Sequence, residues 1–68
     1  MRLFYIAATV RATVTGISGP FIKSARYLVR ETSIQAAKEK FERQVWQDLS
    51  HMEASNINYE YTEITTEI

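Results

Sequence analysis

Cysteine is absent from this sequence, and histidine occurs once, at His51. A disulfide framework is therefore excluded, and so is a structural zinc site, which needs several cysteine or histidine ligands at metal-binding spacing. Proline occurs once and glycine twice, and all three fall in Gly16-Ile17-Ser18-Gly19-Pro20, so the chain has one marked breaking point and room for long elements on either side. The opening Met-Arg-Leu-Phe-Tyr-Ile-Ala-Ala-Thr-Val has the outline of a signal peptide, but Arg11 ends its apolar run, far short of the roughly 20 residues of a membrane span. The expected state is soluble and cytoplasmic, and the missing cysteine fits a reducing compartment.

Acids are lacking too, throughout the first part of the chain. Up to Arg30 the charges are Arg2, Arg11, Lys23, Arg26 and Arg30; all eight acids follow, against Lys38, Lys40 and Arg43 alone. A formal net charge of zero thus hides two opposite halves. Such segregation sets up a long-range field without placing a catalytic group, and it points to a partner or to pairing between the halves. Pairing within the chain is expected to set Arg11 against Glu60 or Glu67, each such cross-strand pair contributing roughly 0.2–1 kcal/mol.

Sixty-eight residues make a single domain. A chain of this size buries only about 60% of the surface its unfolded form exposes. With disulfides and metal excluded, oligomerisation is the support that remains.

What the sequence does contain is periodicity. Phe4, Ile6, Ala8, Val10, Ala12 and Val14 alternate with Thr9, Arg11, Thr13 and Thr15, the signature of a strand with one buried and one wet face. Ala8 and Ala12 leave room for something bulky to lie across them. After the turn, Phe21 to about Arg30 forms a second strand with Phe21, Ala25, Tyr27 and Val29 on one face, Lys23 being the exception there; Ile22, Ser24, Arg26, Leu28 and Arg30 share the other. The two strands make a hairpin over residues 2–30.

Thr32-Ser33-Ile34-Gln35 has the form of a capping box led by Thr32. The helix predicted over 33–54 carries Ile34, Ala37, Phe41, Val45, Leu49 and Met52 in one apolar stripe. Residues 57–67, rich in β-branched and aromatic side chains, read as a third strand. Ile57, Tyr59 and Tyr61 share one face but Ile64 and Ile68 the other, so the phase shifts near Thr62, through a bulge or a frayed end.

These elements predict an α+β domain, β-β-α-β over residues 1–68, with a three-stranded, mainly antiparallel sheet of order 2-1-3 and one helix packed on one face. A single helix leaves the second sheet face open. That face is expected to present Leu3, Tyr5, Ile22, Leu28 and Ile64, with Ile68, among arginines and threonines, and an apolar patch of this kind marks a protein interface. Trp46 lies off the helix stripe, where it packs under a sheet edge or anchors a partner. Docking of a protein partner or a second copy, through the open face or an edge strand, is the function expected first.

A nucleic-acid interface is the alternative, with Arg11, Lys23, Arg26 and Arg30 on phosphates and Tyr5, Tyr27, Tyr59 and Tyr61 stacking on bases. Glu60 and Glu63 beside two of those tyrosines oppose it. The inverse reading treats Asp48, Glu53, Glu60, Glu63 and Glu67 as an acidic edge that imitates phosphates and inhibits a nucleic-acid-binding protein. For catalysis the residues are poor: His51 has no second ligand or orienting group, the serines and threonines have no base, and the glycine pair lacks the lysine of a phosphate cradle. No enzyme, cofactor, metal or membrane partner is expected. In its shortness, its lack of cysteine and the Ser33-Ile34-Gln35-Ala36-Ala37-Lys38 entry into a helix after a hairpin, the chain resembles small accessory proteins of phages and bacteria, a likeness of architecture that transfers no functional residue.

Overall fold

The structure, a computed structural model, describes residues 1–67; Ile68 lies outside the described residues. The order is β1 (Arg2–Val14), β2 (Phe21–Glu31), α1 (Ile34–Ser50) and β3 (Ala54–Glu67), with the three strands ordered β2-β1-β3. Both neighbours run antiparallel to β1, as the predicted fold class requires. The chain therefore crosses from one edge of the sheet to the other through α1.

The hairpin needs its glycines. Ile17 N–H donates to Val14 O at 3.1 Å, and Gly16 and Gly19 take φ of 88° and 85°, a left-handed backbone that a side chain would strain. From there the β1–β2 register is unbroken, Ala12 facing Phe21 and Arg2 facing Glu31.

Two irregularities shape β3. Thr62 stands unpaired between Tyr61, opposite Ala8, and Glu63, opposite Ala7, and its hydroxyl donates to Ala7 O at 3.2 Å. The predicted phase shift is thus a bulge, and it turns Ile64 to the face of Ile6. A second break lies between the Arg11–Asn58 and Thr13–Ser55 pairs. There Asn56 adopts φ of 51°, a conformation asparagine tolerates better than most residues, and Ile57 packs against the core.

The helix is shorter than its stripe suggested. Its N-cap is Ser33, not Thr32: Ser33 Oγ accepts from Ala36 N–H at 3.2 Å, and Gln35 donates forward to Glu39 at 3.3 Å instead of closing a capping box. It stops at Ser50 because Glu53, at φ of 53°, reverses the chain into β3, which begins at Ala54 and not at residue 57. No acid stands in the first turn and no base in the last, so the helix relies on its docked face for stability.

That face is Ala37, Phe41, Val45 and Leu49, buried with Phe4, Ile6, Ala8, Val10 and Ala12 of β1 and with Ala25 and Val29 of β2. Ile34, expected in the stripe, is 46% exposed at the first helical position. Phe41 occupies the centre. Its ring meets Tyr27 of β2 edge-on at 5.9 Å, Tyr59 of β3 edge-on at 6.4 Å and Tyr61 at a tilt at 5.8 Å, in the region of the sheet where Ala8 faces Ala25. The small residues of β1 do leave room for a bulky one.

Candidate interaction face

The tyrosines and their hydroxyl partners define which sheet face is closed. Tyr27 donates to Asp48 and Tyr61 to the Glu42 carboxylate, while Tyr59 donates to the Glu42 carbonyl at 3.1 Å. Asp48 also accepts from Gln44 at 3.4 Å, and Lys38 Nζ stands 5.1 Å from the centre of the Tyr61 ring. The hydrogen bond to Asp48, with some burial, raises the Tyr27 pKa above the ordinary tyrosine value. Burial leads the upward shift at Tyr59 and at Tyr61, with the Glu42 carboxylate adding to both. Three of the four tyrosines named for base stacking are therefore engaged by the helix, and Asp48 ties α1 to β2 and takes no part in an acidic edge.

Among the described residues the opposite face carries no helix, and register fixes its rows. Reading β2, β1, β3 across the sheet, Leu28, Tyr5 and Thr65 form one row, Arg26, Ala7 and Glu63 the next, then Ser24, Thr9 and Glu60, then Ile22, Arg11 and Asn58; Arg30 stands beside Leu3 at the near end. Leu28 is 62% and Ile22 54% exposed, while Leu3 and Tyr5 are half-buried. Leu3, Tyr5 and Leu28 are neighbours and make one apolar cluster. Ile22 lies three rows away, beside Arg11, and does not join it.

Two residues expected at the interface lie outside this cluster. Ile64 is not on the open face; the Thr62 bulge turns it against the core and brings Glu63 to the open side in its place. Trp46 does not pack under a sheet edge: it is 57% exposed on the outer side of α1, away from the apolar cluster. Lys23 is separated from the arginines, since it pairs with Val10 and shares the helix side of the sheet, beyond the part that α1 covers. Arg11, Arg26 and Arg30 do share the open face. His51, the C-cap of α1, is exposed.

Charge is laid out across this face as two margins. Arg26 and Arg30 stand on β2 and Glu60 and Glu63 on β3, with Ala7, Thr9 and Leu3 between. The expected pairing of Arg11 with Glu60 or Glu67 is not met by the register: Asn58 is opposite Arg11, Thr9 is opposite Glu60 and Leu3 is opposite Glu67. Among the described residues the one ion pair is Lys40 with Glu31, at 3.8 Å on the helix side. Glu63 instead accepts from the Thr65 hydroxyl at 3.0 Å.

Elsewhere the surface offers little depth. A groove of about 110 Å³ between β2 and α1 is lined by Tyr27, Leu28, Val29, Arg30, Lys40 and Gln44, against the roughly 300 Å³ at which small-molecule sites begin. Among the described residues no three acidic or histidine side chains are grouped as metal ligands, and no helix is long and apolar enough to cross a membrane. Comparison with protein families, curated proteins and solved structures finds no match.

Proposed function

We propose that this chain is a small cytoplasmic interaction module without catalytic activity, of the accessory or regulatory kind, which binds a protein through the open face of its sheet. The observation that supports this most is the cluster of Leu3, Tyr5 and Leu28 on a face that α1 leaves bare, with Leu28 62% exposed. Leaving such a side chain in water forgoes up to about 1.5–3 kcal/mol of burial, which a partner recovers. Arginines flank the cluster on the β2 side, and arginine beside apolar and aromatic anchors is the composition of energetically dominant contact surfaces.

The test is capture from the native host by the immobilised chain, comparing wild type with Leu28→Asp on the open face and Trp46→Ala on the helix. Loss of captured protein with Leu28→Asp and retention with Trp46→Ala supports the reading, circular dichroism confirming that both variants fold. The opposite pattern overturns it.

Arg11, Arg26 and Arg30 on the same face favour nucleic acid as the second reading. Titration with DNA and RNA at two salt concentrations separates the two, since phosphate contacts impose a steep salt dependence. Tyr5 is the sole tyrosine among the four that this reading has available for stacking, because Tyr27, Tyr59 and Tyr61 are held by α1.

A further inference from the structure

We infer that the occupant of the open face is a second copy of this chain, docked face to face about a two-fold axis that runs along β1. The inference rests on the open face being a binding surface and adds what covers it.

Charge on the open face discriminates between the possible arrangements. Two identical sheets can meet face to face about a two-fold axis lying along their strands or across them. An axis across the strands sets β2 over β2 and β3 over β3, so each arginine margin lies over an arginine margin and each glutamate margin over a glutamate one; centred on the Tyr5 row, it puts Arg26 on the partner's Arg30. An axis along β1 exchanges the margins and sets each β2 over the partner's β3. Arg26 then faces the partner's Glu63, and Ser24 the partner's Glu60, following the rows Arg26–Ala7–Glu63 and Ser24–Thr9–Glu60. Like charges set face to face cost several kcal/mol, so the segregation seen along the sequence selects one of the two arrangements. A chain with net charge zero and no ion pair across its own open face among the described residues is complementary to itself in that arrangement.

The same axis brings apolar to apolar. Leu3 and Tyr5 lie on the central strand and meet the partner's Leu3 and the partner's Tyr5 across it, with Leu28 at the flank. Aligned sheets pack at about −30°, so copies crossing near Tyr5 diverge toward the hairpin, and the exposed Arg11 is carried off the axis away from its counterpart. Cα extents of 43 × 19 × 14 Å cap one long face at about 800 Å², the share each partner contributes to an ordinary stable interface, and the divergence toward the hairpin keeps the contact below that cap, so the dimer is a weak one.

Sedimentation of three proteins tests this. An all-acidic variant, Arg26→Glu with Arg30→Glu, and an all-basic one, Glu60→Lys with Glu63→Lys, are each expected to sediment as monomers, with self-association weakened roughly tenfold or more. An equimolar mixture is expected to restore a dimer of wild-type size, because each repaired margin faces its opposite. A wild-type monomer at hundred-micromolar concentration, or a dimer that both variants leave intact, overturns the inference. If the chain is monomeric while Leu28→Asp still abolishes capture of another protein, self-docking fails and the open-face reading stands; if capture also survives Leu28→Asp, both fail.

Discussion

Phe41 is the side chain on which the docking of the helix turns, and its removal has a calculable cost. It is fully buried, with Tyr27, Tyr59 and Tyr61 around its ring. Phe41→Ala loses the transfer free energy of the ring and opens a cavity, about 3–5 kcal/mol together. Alanines at positions 8 and 25 cannot reach up to fill that space, and the tyrosines are pinned by their hydroxyl bonds, so the upper part of the range applies. At about 0.05–0.15 kcal/mol per residue, a chain of 68 residues has a total of roughly 3–10 kcal/mol, and the substitution removes a large part of it. Phe41→Leu keeps most of the volume but forfeits aromatic pairs worth about 0.5–1.5 kcal/mol each, and falls in between. Ala8→Leu alone overpacks, at about 1–3 kcal/mol, yet in combination with Phe41→Ala it refills the cavity, so the double variant is more stable than the sum of the two costs implies. Urea unfolding followed by circular dichroism measures all four proteins. A cost for Phe41→Ala below about 1.5 kcal/mol, within reach of an ordinary substitution, or strictly additive effects in the double variant, would refute the placement of the ring over the alanines.

Two further outcomes are expected. Ser33→Ala loses about 1 kcal/mol with its cap, while Thr32→Ala, whose side chain caps nothing, changes stability by less than about 0.5 kcal/mol in the same urea titration; equal costs would restore Thr32 as the cap. Tyr27, Tyr59 and Tyr61 are held above the ordinary tyrosine pKa of 10.0, so the folded state favours their neutral forms. The stability they contribute is complete below that value and is lost as pH rises from there through their folded pKa values. Phenolate absorbance and circular dichroism, recorded together above pH ~10, should therefore change together as Tyr59 and Tyr61 ionise, whereas ionisation of both with the fold intact would contradict their burial against the helix.

The architecture was legible in the sequence wherever a single face is buried over a long stretch. Phe4 to Val14 alternates because one side of β1 is buried along that stretch, and Ala37 to Leu49 repeats because the helix docks by one stripe. What escaped depends on partners distant in sequence. Serine caps somewhat better than threonine, but both are acceptable, and the choice falls to where β2 releases the chain after Glu31, which pairs with Arg2 and holds Lys40. The phase shift at Thr62 was visible, but its consequence, the exchange of Ile64 for Glu63 on the open face, follows only when β3 is laid against β1. The periodicity of α1 sets Trp46 off its stripe; whether a sheet edge reaches it is a matter of sheet width that no local pattern carries. The division of the open face into margins was half visible, since opposite charge in the two parts of the chain becomes opposite margins only once the central strand is known to separate them.

Placing the first strand in the middle also has a cost during synthesis. Its pairing with β3 joins Leu3 to Glu67, a separation nearly as long as the chain, and contacts so distant form slowly. At about 5–20 residues per second, a ribosome takes a few seconds to add the helix and β3 after the hairpin has been synthesised. For that interval one flank of β1 has unmet backbone donors and acceptors, and the bed of Phe4, Ile6 and Val10 is open to water. Until β3 docks, that flank is an edge open to pairing with another chain, so the speed of this last closure decides how long the protein stays exposed to misassembly.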